Sequence, residues 1–171
     1  MTSAKRNKNI FIINFVCSGN SCRSPMAEGL LKKMLYDKYK DKVKIHSSGT
    51  LGINNNPATL NAIAVAQEKG IDISSHRSKG LTLEQMAEAD LIFALAENHF
   101  EYMLTYFPEY QENVFLLKSF ATGSDRPFRL SIDDPIGQSM RVYRRVINEI
   151  EKELIRIQPF LEQLIDGKLC L

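Results

Sequence analysis

The chain is poor in the residues that several function classes require. Its 171 residues include only three cysteines and three histidines. Three cysteines make an odd count and no disulfide framework, which suits a reducing, cytoplasmic setting and leaves secretion by a nonstandard route open. The histidines, His46, His76 and His99, are scattered. There is no pair of CxxC motifs and no His-rich cluster, so no metal and no cofactor is expected. Charge of one sign is barely in excess, with 22 Lys and Arg against 20 Asp and Glu and a net charge of +2. That gives no reason to expect a nucleic-acid or membrane surface. No apolar run reaches transmembrane length. The start, Met1–Asn9, is polar and basic without the apolar core of a signal peptide, and reads as a disordered tail. Repeats, linkers and low-complexity stretches are lacking as well. What remains, 44% hydrophobic and 25% charged, is the composition of a soluble globular protein. Residues 10–171 suit one domain with a sizeable core.

Apolar strand-like runs alternate with helical patterns, which predicts an α/β fold around a parallel sheet. The expected strands are Ile10–Val16, Val43–Ser47, Leu91–Ala94 and Asn113–Leu116. The expected helices are Pro25–Tyr39, Pro57–Lys69, Leu83–Ala89, Asn98–Phe107 and Ser139–Leu164. The last carries an apolar stripe at Met140, Tyr143, Ile147, Ile150, Leu154, Ile157, Leu161 and Leu164. Pro159 falls inside it and is expected to kink or end the helix. Ala121–Gln138 is the longest stretch without periodicity, and long ordered loops are often functional. Tyr36, Tyr39, Tyr143 and Phe160 read either as core at helical spacing or as surface aromatics for a partner.

One short run concentrates the chemistry: Cys17-Ser18-Gly19-Asn20-Ser21-Cys22-Arg23-Ser24 follows the first strand directly and opens onto a helix at Pro25. It is a nucleophile, a tight loop and a guanidinium. A free thiol titrates near 8.5 and is a poor nucleophile at neutral pH. Inward-turned backbone N–H groups form a nest for an anion. The following helix adds the positive end of its dipole, and Arg23 adds a planar fork that grips two phosphate oxygens. Each should lower the thiol's pKa. Gly19 and Asn20 are residue types that accept positive φ. Ser24 is a good N-cap and Pro25 a good first helical residue, and the Ser24 hydroxyl is also placed to bond the Cys17 sulfur. Such a loop can hold a phosphate dianion and attack it without a metal. The bland alternative is a buried small hydrophobe followed by a Gly-Asn turn.

Attack on phosphorus expels a group that needs a proton, so a carboxyl must face the nucleophile. Asp133 and Asp134 lie just before Pro135 in the aperiodic segment. Alone, Asp-Asp-Pro reads as a turn opener.

The run Val16-Cys17-Ser18-Gly19-Asn20-Ser21-Cys22-Arg23-Ser24-Pro25-Met26-Ala27-Glu28 resembles the active-site signature of low-molecular-weight protein tyrosine phosphatases, a superfamily shared with protein arginine phosphatases and arsenate reductases. Four further segments are similar to the family pattern: Ser47-Ser48-Gly49; Gly70 to Ser78 with His76; Ala89-Asp90-Leu91-Ile92-Phe93; and Asp134-Pro135. The resemblance implies a single three-layer domain with a central four-stranded parallel sheet and a phosphate loop after strand 1. It implies Cys17 as nucleophile, Arg23 as anion clamp and Asp134 as general acid, working through a phosphocysteine. Ser18, Gly19, Asn20, Ser21, Cys22 and Ser24 would line the anion, while Ser47 and His76 prop the loop and Asp133 modulates the acid. Cys22 matches a cysteine that pairs reversibly with the nucleophile in the family, or else only packs the loop.

Two departures bear on the substrate. The loop position after Asn20, commonly Ile in tyrosine phosphatases and Thr in arginine phosphatases, is Ser21. The segment after the acid, aromatic in eukaryotic tyrosine phosphatases, reads Asp134-Pro135-Ile136-Gly137 and offers apolar contact without ring stacking. Thr122-Gly123-Ser124 looks bacterial too. Phosphotyrosine is the first expectation, because the family's tyrosine members are the broad majority, and phosphoarginine the alternative. The implied partner is a phosphorylated protein acted on by a monomer or weak homodimer. Arsenate reduction needs a relay of two further cysteines, and after Cys22 only Cys170 follows. A phosphocarrier would keep its phosphocysteine and lack this Arg and Asp.

Overall fold

Strand β1 (Phe11–Cys17) is apolar almost throughout because both of its faces are covered. It pairs in parallel with β2 (Val43–Gly49) on one side and β3 (Leu91–Ala94) on the other, and β3 pairs with β4 (Val114–Leu116). The computed structural model describes residues 10–123 and 128–170. The tail expected over Met1–Asn9 and Ser124 of the bacterial-looking triplet lie outside them. The strand order is β2-β1-β3-β4. From β1 the chain steps outward to β2 and then returns past β1 to β3, which opens a crevice at the carboxyl ends of β1 and β3.

Alternation along β1 sorts the core into two layers. Ile13, Phe15 and Cys17 face helices α1 (Arg23–Tyr39), α2 (Leu60–Glu68) and α5 (Met140–Leu169). Val16 joins Ile92, Ala94, Val114 and Leu116 against α3 (Leu83–Glu88) and α4 (Glu97–Tyr106), through Met86 and Met103. The expected four strands and five helices are all present, with ends displaced by at most five residues and β3 matched at both ends.

Three readings need correction. Helix α1 begins at Arg23, two residues earlier than expected, and Ser24 makes no cap bond. The loop curls directly into the helix, so Ser24 lies inside the first turn and its hydroxyl points at sulfur. Helix α5 neither ends at Leu164 nor breaks at Pro159 but runs on to Leu169. Pro159 and Ile155, whose carbonyl loses its helical partner, both lie on the exposed side, where water can replace the lost bond. Leu164 is outside as well, and Ile165 takes its place in the buried stripe. Of the four aromatics with two readings, Tyr39 and Tyr143 are core whereas Tyr36 and Phe160 are exposed.

Among the described residues no helix is long and apolar enough to cross a membrane.

Candidate active site

The Cys17 loop leaves the carboxyl end of β1 and is stitched to its neighbours by backbone bonds. Thr50 N donates to Cys17 O at 2.9 Å, Leu51 N to Ser18 O at 3.1 Å and Thr59 N to Ser21 O at 2.9 Å. Gly49, paired with Cys17 across the sheet, leaves no room for a side chain: a Cβ there would sit 2.5 Å from Ser18 O.

Asn20 is the keystone. It takes the left-handed conformation at φ 52°, which Gly19 does not share, because an Asx side chain tolerates that region while bonding locally. It is fully buried. Its Nδ2 donates to Ser24 Oγ at 2.8 Å and to Ser47 Oγ at 2.9 Å, and its Oδ1 accepts from Lys79 N at 2.9 Å. His76 donates Nε2–H to Asn20 O at 2.8 Å. Both serines accept from the amide, so their own hydrogens are free to go onward. Ser24 points at Cys17 Sγ, 2.9 Å away, and Ser47 donates to Glu28 Oε2 at 2.5 Å. The props expected at Ser47 and His76 are therefore in contact with the loop, and Glu28 joins them. A cavity of about 320 Å³ opens beside these props, lined in part by Glu28, Ser47 and His76.

The front of the loop is occupied by the protein itself. Arg23, buried to 4% exposure, reaches Ile132 O at 3.2 Å and Ser18 Oγ at 3.4 Å, and pairs with Asp134 Oδ2 at 2.5 Å. Ile132 is pinned there by its N–H to Leu95 O, just past β3. Asp134 Oδ1 accepts from Ile136 N at 3.1 Å, an Asx turn that aims the other oxygen at Arg23. Asp133 does not join the site: it pairs with Arg145 of α5 at 3.2 Å.

The thiol does not behave as the loop alone would dictate. Burial pushes the Cys17 pKa up, and this outweighs the Ser24 hydroxyl, the Arg23 charge and the N–H groups of Ser24 and Asn20, which all pull it down. Every lowering device foreseen except the helix dipole is among these causes, but Cys17 is almost wholly enclosed and Asp134 already answers Arg23's charge. Cys22 Sγ lies 3.3 Å from Thr59 Oγ1 and 3.4 Å from Tyr143 OH. Burial and the Cys22 contact push the tyrosine hydroxyl up to about 12. Cys17, Cys22 and Cys170 are all free thiols. Ser21 lines the half-exposed side of the loop, its Oγ 3.8 Å from Cys22 Sγ.

Sequence reasoning missed His99, Glu28, Thr59 and Tyr143 as neighbours of the loop. Glu28 lay within the quoted signature. His99 follows β3 by five positions, at a strand end where ligands gather, and no local pattern marks it.

The profile described as "Low molecular weight phosphotyrosine protein phosphatase" matches residues 12–166. A protein-arginine-phosphatase of Bacillus subtilis (strain 168) is 38% identical over 144 residues, 84% of this chain and 91% of that one. The low molecular weight protein-tyrosine-phosphatase Etp of Escherichia coli (strain K12) is 31% identical over 137 residues, 80% of this chain and 85% of that one. Among solved structures, the YwlE arginine phosphatase from Geobacillus stearothermophilus superposes with a TM-score of 0.80 at 34% identity, covering 90% of this chain and 94% of that one. The chain belongs to the low molecular weight phosphotyrosine protein phosphatase family, whose members include protein-arginine- and protein-tyrosine-phosphatases.

Proposed function

We propose that this protein is a protein arginine phosphatase, with Cys17 as nucleophile, Arg23 as anion clamp and Asp134 as general acid and base. The observation that carries the substrate is Ser21, together with the similarity to named arginine phosphatases. Guanidinium N–H groups drawn out of water need acceptors. A serine hydroxyl on the side of the loop supplies one, where an Ile would offer only apolar contact. This sets aside phosphotyrosine as the first expectation. The exposed Ile136 beside the acid, which cannot stack on an aromatic ring, fits the same reading.

The phosphoryl group enters by taking Asp134's place on Arg23. With Asp134 displaced from Arg23, the Cys17 thiol proton passes by way of the arriving phosphoryl oxygens to the Asp134 carboxylate. The thiolate attacks phosphorus in line, the P–N bond breaks, and the protonated Asp134 delivers that proton to the departing guanidino nitrogen. A phosphocysteine results. Water then attacks it, Asp134 accepts the water proton, and inorganic phosphate leaves with Cys17 restored. Arg23 and the loop N–H groups hold the equatorial oxygens through both steps, the electrostatic stabilisation on which this chemistry depends. Ser24 holds the sulfur and Asn20 the loop. Such a cycle needs Cys17 unpaired, which suits a reducing cytoplasm and a phosphorylated protein as partner.

The test is kcat/KM on matched phosphoarginine and phosphotyrosine peptides in the absence of metal, with Cys17→Ser as control. Phosphoarginine should be preferred, and Ser21→Ile should shift the ratio toward phosphotyrosine by about tenfold or more, the equivalent of one hydrogen bond to a charged group. Preference of the unchanged protein for phosphotyrosine would overturn the arginine reading. Turnover of neither would overturn the phosphatase reading.

A further inference from the structure

His99 is fully buried in the first turn of α4, at the carboxyl end of β3. Its Nε2 lies 2.8 Å from Ser18 Oγ in the phosphate loop. Its Nδ1 is buried and has no hydrogen-bond partner among the described residues. We propose that His99 is a positioning residue of the phosphate loop: its imidazole donates Nε2–H to Ser18 Oγ and so turns the Ser18 hydroxyl hydrogen toward the anion held in the loop.

The tautomer follows from the unpartnered nitrogen. If Ser18 donated to Nε2, the ring hydrogen would sit on Nδ1, a buried N–H without an acceptor. Such a group is rarer and costlier than a lone pair without a donor. The hydrogen therefore belongs on Nε2. The charged ring is excluded as well, because burial and then the Arg23 charge push the imidazole pKa down to about 3. His99 is thus a neutral donor of fixed direction throughout the neutral range.

The consequence falls on Ser18. A hydroxyl has two acceptor sites and one hydrogen. His99 fills one acceptor site and Arg23 Nη2, at 3.4 Å, fills the other, since a guanidinium only donates. Neither neighbour can receive the serine's hydrogen. It is left for a group arriving beside Arg23, which in the proposed reaction is an equatorial oxygen of the phosphoryl group. The inference deepens that reading and rests on it for the identity of the anion.

The test measures binding apart from turnover. Protection of Cys17 from iodoacetamide is titrated with inorganic phosphate, and the protection constant is compared in the unchanged protein, Ser18→Ala, His99→Leu, His99→Gln and Ser18→Ala/His99→Leu, with Tm recorded for each. Ser18→Ala and His99→Leu should each weaken phosphate by about tenfold, the loss of one hydrogen bond to a charged group. The double variant should be no weaker than Ser18→Ala alone, because the two act through one hydroxyl. His99→Gln, which carries an N–H donor at nearly the Nε2 position, should restore most of the loss. A double variant that falls by the product of the singles would overturn the inference. So would a His99→Gln no better than His99→Leu at equal Tm. If His99→Leu fails to fold, Ser18→Ala and His99→Gln decide alone: Ser18→Ala at unchanged affinity, or His99→Gln as weak as Ser18→Ala, overturns it. An unchanged protein that binds phosphate yet turns over neither phosphopeptide would sink the catalytic reading without touching this one.

Discussion

Ser24 gives up the capping position its sequence context suggests and turns its hydroxyl to Cys17 Sγ at 2.9 Å. It is the largest of the influences that hold the thiol down against burial. Ser24→Ala is accordingly expected to raise the Cys17 pKa further. Only the thiolate is alkylated, so the pH curve of iodoacetamide inactivation should move to higher pH. Asp134→Asn should move it the other way, since the carboxylate no longer offsets Arg23 at 2.5 Å. An unmoved curve for Ser24→Ala would show that the hydroxyl does not hold the sulfur. The grouping of Cys17, Arg23 and Asp134 was legible in the sequence because a cysteine after a strand, a guanidinium opening a helix and an aspartate before proline are each tied to a local pattern. His99 was not, because its meaning lies in Ser18, 81 positions away. Asp133 shows the converse: adjacency to Asp134 suggests a shared contact, but successive side chains diverge, and Asp133 pairs with Arg145.

At the scale of elements, the strands were readable because a central parallel strand must be apolar on both faces. Their order was not, since nothing in a strand's own residues names its neighbours. Helix ends shifted where the loop's demands overrode capping, as at Arg23. Gly49 shows how a strand end disciplines a loop. A methyl group there would meet Ser18 O at 2.5 Å and Asn20 N at 3.0 Å, both backbone atoms of the phosphate loop. Gly49→Ala is expected to lower both Tm and kcat/KM, the latter by at least about tenfold, in keeping with the sensitivity of catalysis to small misplacements. Unchanged kinetics would mean that the loop yields without consequence. Pro159 makes the opposite case. It lies on the exposed side of α5, remote from Cys17 in the fold's order. Pro159→Ala should stabilise the protein by roughly 2 kcal/mol, the helix gain of about 3 less the up to about 1 restored as freedom to the unfolded chain. Urea denaturation would show it, with kcat/KM unmoved.

At the scale of the molecule, the site is a meeting of distant segments. Arg23 meets Asp134 across 111 positions, Ser18 meets His99 across 81 and Cys22 meets Tyr143 across 121. The core layer beneath the loop is closed by the buried stripe of α5 from Tyr143 to Ile165. Loss of activity and loss of helical circular dichroism in urea should therefore coincide in one transition. Activity lost well before helicity would show that the acid loop opens on its own. The alternation that announced an α/β fold also forces this dispersal, because strands that are neighbours in a parallel sheet are separated in sequence by a crossover. On the ribosome the site is then completed late. A growing chain presents Cys17 and Arg23 long before Asp134 or the closing helix has been made. Until it is nearly finished it holds Cys17 and Arg23 without the carboxylate that pairs with the guanidinium or the helix that closes the core beneath them.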